Sequence, residues 1–81
     1  MIVKCIIRHV DDSKLNYSWW YDVTNVAVKE LNINGNKYFR FFVTVVNHVS
    51  KEVVGEFEAH NFYTVDKEEP LEEKLKKELI L

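Results

Sequence analysis

Residue types that usually shape very small proteins are scarce in this chain of 81 residues, which has one cysteine, one proline and two glycines. A lone cysteine, Cys5, cannot form an internal disulfide, and this excludes the disulfide-rich secreted scaffolds. With so little proline and glycine, the loops must be short or built from Asn, Asp and Ser. We therefore expect a fold that is held together by its core and its backbone hydrogen bonds.

Long apolar runs and a strong excess of one charge are also missing. No apolar run approaches the roughly 20 residues that span a bilayer, and residues 1–8 carry charges where a signal peptide is apolar. The formal net charge of −2 gives no general attraction to nucleic acid or to an anionic membrane. We expect a cytoplasmic protein that makes no membrane contact. Abundant Lys, Asn and Ile with little Ala indicate an AT-rich genome, as in a low-GC bacterium or its phage.

Hydrophobic residues make up 47% of the chain and aromatic residues 14%, which is enough for one modest core and one domain over residues 1–81. Apolar alternation predicts an α+β fold: a small antiparallel sheet of about five strands, as a meander or half-barrel, with one C-terminal α-helix packed on it. The strands are predicted at about residues 2–10, 17–24, 26–33, 37–49 and 53–65. Leucines spaced four apart after Pro70 predict the helix at about residues 70–80.

The pair Asn34-Gly35 predicts a β-hairpin, because a two-residue type I′ turn needs positive φ at both central residues. Such a turn pairs residues whose numbers sum to 69, so Val28 should lie opposite Phe41, and Lys29 opposite Arg40. The apolar phase slips by one residue at Thr24-Asn25, which predicts a bulge or a turn there.

The next hairpin is predicted to turn through a three-residue loop, Ser50-Lys51-Glu52. This length aligns the apolar residues of the two strands, whereas a two-residue loop would place valines and phenylalanines beside glutamates. In this register Phe42 lies opposite His60, and His48 lies opposite Val54. His48 and His60 are then about 20 Å apart at ~3.3 Å per residue, too far to share a metal ion.

The two registers divide the central strands into two faces. Face one is almost entirely apolar and is predicted to be the core; it carries Val26, Val28, Phe39, Phe41, Val43, Val45, Val53, Phe57 and Ala59. Face two mixes aromatic and cationic residues and carries Lys29, Leu31, Tyr38, Arg40, Phe42, Val46, His60 and Phe62. The helix is expected to cover face two with Leu71, Leu75 and Leu79. The alternative is an open face two that stacks single-stranded bases.

The segment Tyr17-Ser18-Trp19-Trp20-Tyr21 is the least ordinary part of the sequence. Adjacent residues of a strand face opposite ways, so the two tryptophans cannot enter the same core. We expect Trp19 in the core of face one and Trp20 on the second face or exposed. Trp20 then either packs beneath a loop or the helix, or acts as an interface anchor, since Trp and Tyr dominate binding hot spots.

The sequence offers little for catalysis or metal binding. Cys5 alternates inward with Val3 and Ile7, which indicates a buried apolar residue and not a nucleophile. His9 with Asp11 and Asp12 is typical of a solvated turn. We predict no catalytic residue, no metal site and no cofactor.

These observations favour a non-enzymatic protein-binding module, such as a small regulator or inhibitor of phage or mobile-element type. Its partner is expected to be an unidentified protein, and a chain this short would also gain stability as a homodimer. Single-stranded nucleic acid is the alternative partner. An enzyme ranks third, because its site would have to be assembled at a dimer interface. The candidate binding residues are Trp20, Lys29, Tyr38, Arg40, Phe42, His60 and Phe62.

Overall fold

A computed structural model describes residues 1–7 and 14–79 of the chain. In chain order the elements are β1 (Ile2–Cys5), β2 (Trp20–Ile33), β3 (Asn36–Asn47), β4 (Val53–Glu58), a 3₁₀ turn (Ala59–Asn61), β5 (Phe62–Thr64) and α1 (Leu71–Leu79). The strands form one antiparallel sheet in the order β4-β3-β2-β1-β5. This confirms the α+β fold class, with five strands and a C-terminal helix. The first strand, predicted over 2–10, ends at Cys5, and residues 8–10 lie outside the described residues.

The first hairpin has the predicted turn and register. Asn34 and Gly35 both have positive φ, at 51° and 79°. Pairs summing to 69 run from Ile33 opposite Asn36 to Asn25 opposite Thr44, and they include Lys29 opposite Arg40. The predicted slip is a bulge that leaves the extra residue Thr24 on β2. A bulge bends a strand without ending it, so the two strands predicted over 17–24 and 26–33 are one strand that begins at Trp20.

In the second hairpin Val43 and Phe57 share a face of the sheet, as predicted, but the strands pair in a different register. Phe42 lies opposite Glu58, not His60, and the ladder stops at Val46 opposite Val53, so His48 does not pair with Val54. The loop is longer than predicted because the side-chain oxygen of Asn47 accepts hydrogen bonds from the backbone N–H groups of Val49 and Ser50. Such a local turn competes with continued strand pairing.

The last predicted strand, 53–65, is two strands that belong to opposite edges of the sheet. The 3₁₀ turn interrupts it at Ala59, and β5 then pairs with β1, with Phe62 opposite Cys5. In a flat sheet β4 and β5 would be about 19 Å apart, at ~4.8 Å per strand. The four residue steps from Glu58 to Phe62 span at most about 14 Å. The sheet must therefore curl, which corresponds to the half-barrel form of the prediction.

The core lies on the concave side of this curled sheet. Its buried apolar residues are Val3, Cys5, Leu15, Tyr21, Phe41, Val43, Val45, Ala59, Phe62, Leu71 and Leu75. The inward alternation of Val3 and Cys5 is confirmed, and β1 and β2 extend the sheet edge to edge. Tyr21 is buried with its hydroxyl accepting a hydrogen bond from the Asn16 N–H at 2.9 Å, so its polar end is satisfied.

The helix covers face one, and the prediction that it covers face two is wrong. Leu71 and Leu75 are buried in the same cluster as Phe41 and Val43 of face one. A backbone hydrogen bond from the Thr64 N–H to the Glu69 carbonyl holds the chain beside β5 just before the helix begins. This hydrogen bond places the start of α1 on the concave side of the sheet, where Leu71 and Leu75 complete the core.

Three further placements differ from the prediction for related reasons. Phe62 is fully buried, because it belongs to β5 and faces the core beside Cys5. Val28 and Phe39 are exposed because they lie on the part of the hairpin beyond the ladder with β4. Val53 is exposed because the register shift on β4 sets it opposite Val46, on the other face of the sheet. Trp19 is half exposed, because it ends a turn in which its N–H bonds the Asn16 carbonyl and Ser18 has a φ of 65°.

Candidate functional site

The residues predicted to form a binding face are only partly brought together. Tyr38, Arg40 and Phe42 alternate along β3 on face two, and Lys29 lies on the same face of β2. His60 is in the 3₁₀ turn, where its ring nitrogen Nε2 lies 2.8 Å from a carboxylate oxygen of Glu58. Trp20 lies at the far end of β2, and Phe62 is in the core. The predicted set is therefore a row of four residues with three outliers.

The cations of this row are largely balanced by carboxylates. The Lys29 ammonium lies 4.3 Å from the centre of the Phe42 ring and forms an ion pair with Glu56 of β4. On the described strands, the charged residues of face two are Lys4, Lys29 and Arg40 against Asp22, Glu56 and Glu58. Three positive and three negative charges give this face no net attraction for a polyanion.

A second surface lies at the other end of β2, where both tryptophans line one cleft of about 650 Å³. Trp19 is 53% exposed and Trp20 is 46% exposed. The opposite wall is the β3–β4 loop; the full lining is Trp19, Trp20, Asn47, His48, Val49, Ser50 and Glu52. We call this the tryptophan cleft. Two half-exposed indole rings in one concavity form an apolar surface with polar groups at its rim.

Backbone and ring contacts fix the position of Trp20 in the cleft. The His48 N–H donates a hydrogen bond to the Trp20 carbonyl at 3.2 Å, and the two rings are 5.9 Å apart in a tilted arrangement. The His48 ring is itself held by Asp22, since Nδ1 lies 3.1 Å from both carboxylate oxygens. Lys51 reaches the same carboxylate at 3.1 Å. The cleft is thus braced by an Asp22–His48–Lys51 cluster.

The two basic partners of Asp22 determine its ionisation. Burial alone would raise the pKa of this carboxyl, but the hydrogen bonds from Lys51 and His48, together with their charges, outweigh burial and hold the pKa below its ordinary value. Because the folded state favours the charged carboxylate, the cluster stabilises the fold above the ordinary Asp pKa. That stabilisation is lost as the pH falls through the lowered pKa.

We predict that Asp22→Asn lowers the free energy of unfolding at neutral pH by roughly 1–2 kcal/mol, since charge-assisted hydrogen bonds to a partly buried carboxylate are lost. The difference between wild type and variant should shrink below about pH 4, where protonation removes the charge from the wild type as well. Urea unfolding followed by circular dichroism at several pH values measures both. A control is Glu68→Gln, at an exposed carboxylate. A difference that stays constant in acid would contradict the assigned role of the charge.

Sequence reasoning missed the joining of Trp20 to His48, although a signal was present. The hairpin rule pairs residues that sum to 69, and a one-residue bulge on β2 changes that sum to 68. Continuing the rule through the predicted slip places residue 20 beside residue 48. The pairing of Asp22 with Val46 then brings the carboxylate next to the His48 ring.

An Asp–His pair at a cleft also invites a catalytic reading. Within residues 1–7 and 14–79, however, no hydroxyl or thiol is hydrogen-bonded to the free Nε2 of His48, as a nucleophile activated by this ring would be. Burial raises the pKa of the Cys5 thiol, and this effect is larger than the opposing effect of a weak hydrogen bond to the Ile7 carbonyl. The sulfur is therefore a poor nucleophile.

The structure describes no group of three or more His, Cys, Asp or Glu residues arranged to hold a metal ion. The His9, Asp11 and Asp12 combination lies outside the described residues. Among the residues that are described, no helix has the length and apolar character needed to cross a membrane.

Comparison with protein-family models, with curated proteins and with solved structures finds no match to this chain.

Proposed function

We propose that this protein is a non-enzymatic protein-binding module and that the tryptophan cleft is its binding site. The observation that carries the proposal is the presence of two adjacent, half-exposed indoles on one cleft of about 650 Å³. Tryptophan is strongly enriched at binding hot spots, because a single side chain buries a large apolar area and still offers an N–H donor.

The hydrogen bonds that surround the cleft support this proposal. Trp20 is held by a backbone bond to His48, whose ring is held by Asp22, and the Trp19 carbonyl accepts a hydrogen bond from the Cys5 N–H at 3.1 Å. Backbone that is already fixed before binding loses less conformational freedom when a partner arrives, and the Trp20 ring also contacts the His48 ring. The apolar centre and the polar rim of Asn47, Ser50 and Glu52 have the usual anatomy of an interface.

The partner that suits this cleft is a protein that inserts an apolar or aromatic side chain between the indoles and the β3–β4 loop. A role as a regulator or inhibitor of phage or mobile-element type, in a low-GC bacterium, belongs to the same proposal and is supported by composition and size only.

The proposal is tested by capture and titration with the single variant Trp20→Ala. Wild-type protein immobilised on resin is expected to retain a specific protein from a low-GC bacterial lysate, and Trp20→Ala is expected to lose it. With that protein purified, calorimetric titration should show an affinity loss of at least about thirty-fold, which corresponds to a hot-spot cost of about 2 kcal/mol. Ile33→Ala is the control, since it removes a similarly exposed apolar side chain at the far end of β2 from the cleft.

Equal retention by wild type and Trp20→Ala, with both variants folded by circular dichroism, would reject the cleft as the binding site. Loss of the captured protein with Ile33→Ala but not with Trp20→Ala would place the binding surface on the hairpin instead.

Single-stranded nucleic acid is the second candidate partner. Tyr38 and Arg40 support it, because they lie side by side and exposed on face two, where a base could stack on the ring and a phosphate could meet the guanidinium. The equal numbers of positive and negative charges on that face weigh against it. Salt-sensitive retention on single-stranded DNA would favour this candidate over the protein partner.

A further inference from the structure

The hairpin of β2 and β3 extends beyond the rest of the sheet as a two-stranded arm, formed by residues 26–41. On one side β1 pairs with β2 only at Trp20 to Asp22. On the other side the ladder of β4 reaches β3 only from Phe42 to Val46. Among residues 1–7 and 14–79, no strand pairs with either outer edge of the arm.

The arm exposes large apolar side chains in addition to its open edges. Val28, Ile33, Tyr38 and Phe39 are each about half exposed, with Phe39 the most exposed of them at 58%. An isolated two-stranded ribbon is at best marginally stable in water. A long edge strand with exposed apolar side chains is a template for pairing with another chain.

The free edge of β3, residues 36–41, has backbone groups available for such pairing. The Asn47 N–H bonds Glu52 on the β4 side, and the His48 N–H bonds Trp20 on the β2 side. The bulge beside Thr24 lies on β2, and the second irregularity, at Val54, lies on β4. No extra residue therefore interrupts the alternation of β3. Odd-numbered residues of β3 therefore direct their N–H and C=O groups towards β4, and those of Lys37 and Phe39 point to the open edge.

We propose that this edge binds a second copy of the chain, with the two β3 strands antiparallel and a two-fold axis at Tyr38. Tyr38 then lies opposite Tyr38 of the second copy, and Lys37 lies opposite its Phe39. In this register residues 36–40 of one chain pair with residues 40–36 of the other. A register shifted by two, with Phe39 on the axis, would place Asn36 of the second copy beside Phe42, where Glu58 already pairs.

Charge and ring chemistry favour a second copy at this edge. The pairing sets no like charges directly opposite each other, and it places two tyrosines across from each other with Arg40 of each chain diagonal to the other chain's ring. The two Lys37 side chains are also diagonal to each other, but each forms an ion pair with Glu30 of its own chain at 3.5 Å. The β2 edge is longer, and its registers centred on Lys29 or Glu30 are disfavoured because they set identical charges against each other. Crosslinking at Val28 tests the registers that remain at that edge. A five-residue edge with few aromatic side chains buries less than the roughly 800 Å² per partner of a stable interface. The dimer is thus weak and concentration-dependent.

Variants with one introduced cysteine test the register directly. The native Cys5 is fully buried, so an introduced cysteine supplies the reactive thiol. Opposed residues of antiparallel strands have Cα atoms about 4.5–5.5 Å apart, which suits a disulfide. With oxidised glutathione as the oxidant, Tyr38→Cys is expected to give disulfide-linked dimers. Val28→Cys is equally exposed but lies on β2, and it should stay monomeric.

Sedimentation equilibrium tests the association without any crosslink. Over an approximately hundred-fold concentration range the wild-type mass should rise above the 9.7 kDa of one chain, while Phe39→Ser should stay at the monomer mass. A wild-type mass that remains at 9.7 kDa throughout would overturn the proposal. Crosslinking of Val28→Cys in preference to Tyr38→Cys would overturn it too, because it would assign the interface to the β2 edge.

Discussion

Replacing Phe62 by alanine is expected to lower the free energy of unfolding by about 3–5 kcal/mol, the range found when a buried phenylalanine is truncated. Phe62 is fully buried, and its ring meets the Tyr21 ring edge-on with centroids 6.1 Å apart. Small domains have only about 5–15 kcal/mol of stability. This one substitution should therefore remove a large share of it, and chemical denaturation followed by tryptophan fluorescence and circular dichroism measures the loss.

The neighbouring variant His60→Ala provides the comparison for Phe62→Ala. His60 is exposed in the 3₁₀ turn and its ring contacts only the carboxylate of Glu58 among the described residues, so its loss should cost less than about 1 kcal/mol. Were β4 to continue as one strand through residue 65, residues 60 and 62 would share a face and the two variants would behave alike. Comparable costs for the two would contradict the assignment of Phe62 to β5 and the core.

Replacing Leu71 by alanine should cost about 2–5 kcal/mol, since this side chain is fully buried on the concave side of the sheet. The helix is only nine residues long, and a helix of that length is not stable in water without its packing partner. We expect Leu71→Ala to loosen the whole helix, which would appear as faster amide hydrogen exchange along α1 and as a lower unfolding midpoint.

Glu73→Ala serves as the control for Leu71→Ala, because Glu73 is on the exposed side of the same helix and its only described ion pair is a 3.8 Å contact with Lys76. Its cost should stay within about 0.5 kcal/mol. If Leu71→Ala and Glu73→Ala had similar small effects, the helix would not be the cover of face one.

The parts of the fold that the sequence predicts well are those set by local chemistry. Asn34 and Gly35 require a turn with two positive φ angles, and the alternation around them has one register that separates core from solvent. The bulge at Thr24 follows from the same alternation. In each case the information lies within about ten residues of the feature it determines.

Two of the wrong predictions concern choices between distant partners. The segment after Ala59 has the alternation of a strand, and alternation cannot say whether Phe62 pairs with β3 or with β1. Likewise the leucine stripe of α1 suits any apolar surface, so its placement depends on the curl of the sheet and on the tie between Thr64 and Glu69. Both outcomes are tertiary, and periodicity carries no information about them.

The candidate site shows the same division. Trp20 was singled out by its residue type, and the structure places it half exposed in the cleft. The contribution of His48 and Asp22 depends on a pairing that reaches across the bulge, and that of the β3–β4 loop depends on the Asn47 turn. A search for aromatic residues finds the centre of such a cleft but not the residues that hold it in place.

The central claim, that the tryptophan cleft is where a partner binds, is tested most directly by tryptophan quenching. The chain has two tryptophans and both line the cleft, so tryptophan fluorescence reports on the solvent exposure of these two rings. The captured protein can be used with its own tryptophans replaced or with its own signal subtracted. Acrylamide should quench the free protein efficiently, and saturating partner should sharply reduce the quenching constant. An unchanged quenching constant in a complex that demonstrably forms would contradict the claim.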